Sequence, residues 1–136
     1  MSDKPLVVLD TNVVLDWLVF RDPGVAALVQ QIEQSEVTWI ACPLMRTELQ
    51  HMLGHASLAH WAPDSKRALA VFDSLVRQAP DPGATGPVPL RCTDTDDQVF
   101  LDLALYAGAS CLFTRDRALL KLARRARPLG LSIRVP

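Results

Sequence analysis

Several features that would settle a protein's chemistry at once are missing from this chain, and each absence narrows what is left. There is no excess of positive charge: 14 Lys and Arg stand against 15 Asp and Glu, for a formal charge of -1 and a pI of about 6.3. Any contact with nucleic acid must therefore come from a local patch or from cations that screen phosphate. Cysteine is scarce, with 3 residues, and Cys42, Cys92 and Cys111 form no CxxC pair and have no histidine at finger-like spacing. They read as reduced, mostly buried thiols of a cytosolic protein, which argues against a zinc site. Neither a P-loop nor a GxGxxG stretch is present, so a nucleotide-binding or phosphotransfer domain is disfavoured. No run approaches the ~20 apolar residues that span a bilayer. The opening Met-Ser-Asp-Lys-Pro leads into no signal-peptide core, and a cytoplasmic protein with no membrane partner is expected.

What is present is a core. With 136 residues and 49% hydrophobic content, the chain suits one domain over 1–136 and has apolar material enough to fill it. Leu6-Val7-Val8-Leu9 is a continuous apolar run, as in a strand covered on both faces. Further strands are expected over 37–42, 110–113 and 131–135. Helical spacing follows Asp10, with Val13, Val14, Trp17 and Leu18 on one stripe. It recurs over 24–34, 44–52, 64–78, 96–107 and 117–125. Residues 79–89, with four prolines and two glycines, read as a surface loop. Strands alternating with helices imply an α/β fold, a three-layer α/β/α sandwich around a mostly parallel sheet.

Four acids sit where such a fold would bring them together. Asp10 follows the first strand and Asp116 follows the strand over 110–113, and the functional crevice of an open parallel sheet lies beyond the strands' carboxyl ends. Glu48 lies four residues after Leu44 and four before Met52, in line with an apolar row. Asp97 precedes Phe100 and Leu101 by three and four residues, on the row that faces the core. A charged acid in such a row is costly unless paired or coordinated, and several together cannot all ionise without nearby cations. Hard oxygen ligands suit Mg²⁺ or Mn²⁺. Taken one at a time, Asp10 and Asp116 could simply cap the helices they precede, and Asp97 could serve the macrodipole of its helix. Capping does not explain Glu48, which is mid-helix. The argument rests on the set.

Asp10-Thr11-Asn12 after an opening strand, Thr47-Glu48-Leu49 on a mid-chain helix, Asp94-Thr95-Asp96-Asp97 before Phe100-Leu101, and Thr114-Arg115-Asp116 together resemble the PIN domain. The resemblance runs over nearly the whole chain and is closest to bacterial PIN proteins of toxin–antitoxin systems. It implies Mg²⁺- or Mn²⁺-dependent cleavage of single-stranded RNA, with Asp10, Glu48, Asp97 and Asp116 as catalytic metal ligands. It gives Thr11, Asn12 and Thr114 supporting roles and makes Asp94 and Asp96 additional acids beside the site. Thr95 stands where relatives often carry proline. The resemblance further implies an antitoxin protein as partner and a homodimer. Two other readings remain: an RNA- or metal-binding PIN module without toxin role, and a housekeeping RNA-processing nuclease.

Six of the 14 basic residues lie between Arg115 and Arg127. Arg115, Lys121 and Arg124 are candidates to follow an RNA backbone, or else they belong to a solvated helix face. His51, His55 and His60 fit a solvated helix end better than a metal site or a set of general bases. Trp17 and Trp39 suit the core, whereas Trp61 is a candidate stacking surface for a base.

Overall fold

In the computed structural model, residues 4–83 and 90–136 are described. Five short strands form one sheet: β1 (Leu6–Leu9), β2 (Thr38–Ala41), β3 (Arg77–Gln78), β4 (Cys111–Phe113) and β5 (Ser132–Arg134). Their order is β3-β2-β1-β4-β5 and every pairing is parallel. Parallel neighbours need crossovers, which the helices supply. Between β1 and β3 the chain passes through α1 (Thr11–Leu18), α2 (Ala26–Glu33), α3 (Pro43–Leu53) and α4 (Ser65–Leu75). It then returns past β1 through α5 (Gln98–Ala107) to β4, and on through α6 (Arg117–Leu120) and α7 (Ala123–Ala126) to β5. Right-handed crossovers running in opposite directions put the two helix groups on opposite faces of the sheet. The result is the expected α/β sandwich.

The central strands are apolar throughout because both faces are covered. Val8 and Leu112 are fully buried, and Trp39 and Ile40 nearly so. Phe100, Leu101, Leu103 and Ala104 press α5 against β1 and β4, while α1 buries Val13, Val14 and Leu15 and packs against α3. Trp39 is packed edge-on by Phe72 and tilted against Trp17, with ring centroids 5.2 and 5.4 Å away. The three cysteines are buried and free. No helix among the described residues is long and apolar enough to cross a membrane.

Three expectations need correction. The helix expected over 64–78 stops at Leu75, and Val76 turns extended to enter β3, a two-residue edge strand whose exposed polar residues carry no apolar signal. The basic helix expected over 117–125 is two single-turn helices. Leu122 N–H bonds the Leu119 carbonyl rather than continuing the four-residue ladder, and Leu119, Leu122 and Ala126 are buried by this tighter path. The helix expected over 96–107 starts at Gln98, because Asp96 and Asp97 belong to a 3₁₀ turn over Thr95–Asp97. The loop expected over 79–89 lies partly outside the described residues.

Candidate active site

The sheet order reverses direction between β1 and β4, and a doubly wound sheet opens its crevice at the carboxyl ends of such a strand pair. Asp10 and Thr114 are the residues that leave these two strands. Asp10 N–H still bonds the Phe113 carbonyl at 3.1 Å, and Thr114 N–H bonds the Arg134 carbonyl at 3.0 Å. Both are buried with the sheet. Asp10 is also the N-cap of α1, its Oδ1 accepting from Val13 N–H at 2.9 Å. Its Oδ2 accepts from the Thr114 hydroxyl. The Thr114 oxygen in turn accepts from Asp116 N–H at 2.9 Å, and Asp116 Oδ1 caps α6 by accepting from Ala118 N–H at 2.8 Å. Capping and membership of the acidic cluster are therefore not competing explanations: the same carboxylates do both. One hydroxyl ties the two strand-end acids together.

Glu48 reaches this cluster from α3, though not for the reason its spacing suggests. Leu44 is 54% exposed and is not a core residue, so the apolar row invoked for Glu48 does not exist at that end. The buried stripe of α3 is Met45, Leu49 and Leu53. Glu48 flanks that stripe and is half-buried. Burial raises its carboxyl above the ordinary range, a hydrogen bond with Thr11 opposes this, and the charges of Asp10, Asp96 and Asp94 add to the rise.

The opposite wall is the turn before α5. Asp94 caps it, its Oδ1 accepting from Asp96 N–H at 3.0 Å. Asp97 follows as the last residue of that turn and the N-cap of α5, three and four residues before buried Phe100 and Leu101. Gln98 then latches the incoming chain: its Oε1 accepts from Cys92 N–H at 2.6 Å, and its Nε2 donates to the Leu90 carbonyl and to Asp102 Oδ1, each at 2.9 Å. Nothing in the spacing of the sequence marks Gln98 for this task.

Between the walls lies a cleft of about 240 Å³ lined by six carboxylates, those of Asp10, Glu48, Asp94, Asp96, Asp97 and Asp116. Thr11 and Asn12 border it, and Met52 and Phe100 supply its apolar lining. Asp94, Asp97 and Asp116 each offer an oxygen within 4.8 Å of the others. Asp94 is thus a member of the tightest carboxylate group rather than a peripheral acid.

Two features describe the charge balance of the cluster. Asp97 Oδ2 is buried and, among the described residues, has no hydrogen-bond partner. Burial, the adjoining Asp116 carboxylate and the charges of Asp94 and Asp10 push the Asp97 carboxyl up to about 8. Two facing carboxylates can bond each other only by keeping a proton. Asp10 is also raised, chiefly by burial, against the opposing bonds from Thr114 and Val13. A hard divalent cation would substitute for such a proton, and an all-oxygen donor set of this kind fits Mg²⁺ or Mn²⁺.

The remaining candidates lie elsewhere. Arg115, Lys121 and Arg124 are exposed, and none of them lines the cleft. The Arg115 guanidinium pairs with Asp16 and Asp22. Trp61 is 49% exposed but packs edge-on against Phe20 at 4.8 Å, outside the cleft. His51 and His55 have ring centroids 6.2 Å apart, and the His55 Nδ1 is engaged by Ser57.

The PIN domain family matches residues 6–118, from the first strand to the turn that follows Asp116. The chain belongs to that family. Its fold is similar to that of a chain in the crystal structure of VapBC2 from Rickettsia felis bound to a DNA fragment from their promoter. The two are 14% identical in sequence, the match covers 94% of this chain and 98% of that one, and the TM-score is 0.61. At this identity the likeness shows the fold. No curated protein matches the sequence.

Proposed function

We propose that this protein is an endoribonuclease that needs Mg²⁺ or Mn²⁺, hydrolyses single-stranded RNA, and is the toxin of a toxin–antitoxin pair. The observation that carries the reading is the convergence of six carboxylates in one cleft of a PIN fold, with a buried Asp97 oxygen that has no donor among the described residues. Asp10, Glu48, Asp97 and Asp116 would hold the ion or ions, with Asp94 joining them from the capping turn. A divalent cation held there would supply positive charge to the phosphate and acidify a bound water.

The chain's own residues do the rest. Thr114 fixes the spacing of Asp10 and Asp116, and Thr11 steadies Glu48. Asp97 would release its proton to make room for a cation, and Asp10 and Glu48, both raised by burial, are placed beside the cleft to accept a proton from water. Hydrolysis by water needs no 2′-hydroxyl, so restriction to RNA arises from binding. Lys121 and Arg124, exposed on the α6–α7 segment, are suited to follow the backbone. The toxin role and the antitoxin partner draw support from the resemblance in motifs and from the fold shared with a chain of the VapBC2 structure. The homodimer rests on the resemblance alone.

The test is incubation of purified protein with labelled single-stranded RNA in Mg²⁺, Mn²⁺ or EDTA, beside Asp10→Asn. Cutting that needs metal and disappears in the variant is the expected result. Metal or RNA binding without cutting would replace the reading with that of a binding module. Charge reversal at Lys121 and Arg124 should weaken RNA affinity at low salt, and unchanged affinity removes them from the RNA path.

A further inference from the structure

We propose that Arg115 is a positioning residue of the cleft, an outer clamp that fixes the segment carrying Thr114 and Asp116 against α1, rather than a contact to RNA. The proposal rests on the nuclease reading above. Arg115 stands between the two site residues that follow β4, Thr114 and Asp116, yet its side chain does not line the cleft. Nε lies 3.2 Å from Asp16 Oδ2 and Nη2 lies 3.5 Å from Asp22 Oδ2. Asp16 belongs to α1, the helix that Asp10 caps. Asp22 N–H donates to the Asp16 carbonyl at 2.8 Å, and the Asp22 carboxylate caps the next turn through Gly24 N–H at 2.8 Å.

These contacts close a ring. From Asp10 the chain runs along α1 to Asp16 and Asp22, crosses to Arg115, and returns through Thr114 to Asp10. The strand-end acids are tied together by the buried Thr114 hydroxyl, and the segment carrying Asp116 is braced by a two-pronged guanidinium, which suits paired carboxylates better than an ammonium would. Withdrawing Arg115 to meet a phosphate would strand Asp16, whose side chain is only 17% exposed, and an uncompensated, largely buried charge is costly. Asp16 is raised chiefly by burial, and the Arg115 guanidinium opposes that rise, so the pair depends on the clamp.

The packing around the guanidinium is equally specific. A Cβ on Gly24 would come within 2.8 Å of Arg115 Nη2 and 3.2 Å of Asp22 Oδ1. Gly24→Ala therefore displaces the clamp without removing any charge.

The experiment compares Arg115→Met, Arg115→Lys and Gly24→Ala with the unaltered chain. Amide exchange at Asp116 and Ala118 is followed by NMR without metal, and kcat and KM on labelled RNA are measured with Mn²⁺ at two salt concentrations. Arg115→Met should lose protection at both amides and lower kcat by about 10–100-fold, the scale of losing a group that orients ligands. KM and its salt dependence should hold. Arg115→Lys should recover part of kcat, and Gly24→Ala should move both readouts the same way by less. If Arg115→Met does not fold, Gly24→Ala decides. Unchanged protection with unchanged kcat overturns the proposal. So does a raised KM with kcat intact and a salt slope reduced by about 1, the sign of a lost phosphate contact. Should the unaltered chain cut no RNA with any metal, the nuclease reading fails, and the amide protection still decides whether Arg115 holds the segment.

Discussion

The two walls of the cleft are built on different principles. Asp10 and Asp116 stand at the ends of neighbouring parallel strands, where the ladder continues into Asp10 and Thr114 and each carboxylate accepts backbone N–H groups. Across the cleft, Asp94, Asp96 and Asp97 occupy a 3₁₀ turn and a helix start, held by Asp94 capping its own turn and by the Gln98 latch. On the strand wall each acid accepts hydrogen bonds from the chain, whereas on the turn wall Asp97 Oδ2 is buried and, among the described residues, has no hydrogen-bond partner. The sheet fixes one wall, and a capping turn aims the other.

The largest effect expected from this contrast is on catalysis. Asp10→Asn and Asp97→Asn should each lower kcat by at least about 100-fold, the scale of losing one preorganised electrostatic group. The two should part in stability. Asp10→Asn disturbs a carboxylate that accepts two hydrogen bonds, whereas Asp97→Asn removes an acid that the metal-free fold disfavours. Melting temperature in EDTA at pH 8 should therefore rise for Asp97→Asn relative to Asp10→Asn. The reverse order would show that the turn wall is as well satisfied as the strand wall.

A pH series sharpens the same point. Asp97 is raised from 3.8 to about 8 in the folded chain. A folded-state value above the unfolded one means that the folded chain binds the extra proton. Stability from that proton is complete below about pH 4 and is lost as pH rises through about 8. Melting in EDTA should thus fall between pH 5 and pH 8, and Mg²⁺ or Mn²⁺ should restore it at the upper end, because the cation takes the place of the proton. A melting temperature that is flat over this range, with and without metal, would contradict the assignment.

Much of this was legible in the residues, and the exceptions have physical causes. Four strands announce themselves as apolar runs because both faces of a parallel sheet are covered. β3 does not, since an edge strand of Arg77 and Gln78 buries nothing. Asp10 and Asp116 are found from strand ends alone, and Asp97 from helical phase. Glu48 was found by a row that includes exposed Leu44, so its position at the edge of the Met45–Leu49–Leu53 stripe was not what the spacing described. Asp94 joins the carboxylate group through a capping turn, which no periodicity in the sequence marks. The pairing of Arg115 with Asp16 and Asp22 was hidden for another reason: a contact across about a hundred residues leaves no local pattern, and a basic residue near a nuclease site invites an RNA role.

The latch on the turn wall should matter less than the acids but measurably. Gln98→Ala leaves the part-buried Cys92 N–H without its acceptor and frees the chain that enters the acid turn. A destabilisation of about 1–3 kcal/mol is expected from the unpaired group, with kcat lowered about 10-fold as the turn loses its aim. Thr114→Val, on the strand wall, should cost a similar amount of stability, since Asp116 N–H and Asp10 both lose a partner. Denaturant unfolding beside single-turnover cleavage checks both. If Gln98→Ala unfolds more easily but cuts at full rate, the turn is aimed by its own caps, and the latch serves stability alone.

The smallest effect belongs to an ion pair that resembles the Arg115 clamp in chemistry and differs from it in place. Arg46 meets Asp73 through two bonds of 2.8 and 2.9 Å, joining α3, which bears Glu48, to α4. Both side chains are well exposed, at 37% and 46%, and surface pairs of this kind contribute about 0.2–1 kcal/mol. Arg46→Ala should therefore lower the melting temperature only slightly and leave cleavage within about twofold of the unaltered chain, because Met45, Leu49 and Leu53 already seat α3. Arg115→Met, by contrast, acts through a largely buried partner on the segment that carries Asp116. If Arg46→Ala slowed cleavage as much as Arg115→Met, the anchoring of Glu48 would depend on α4, and the cleft would have a third wall as sensitive as the other two.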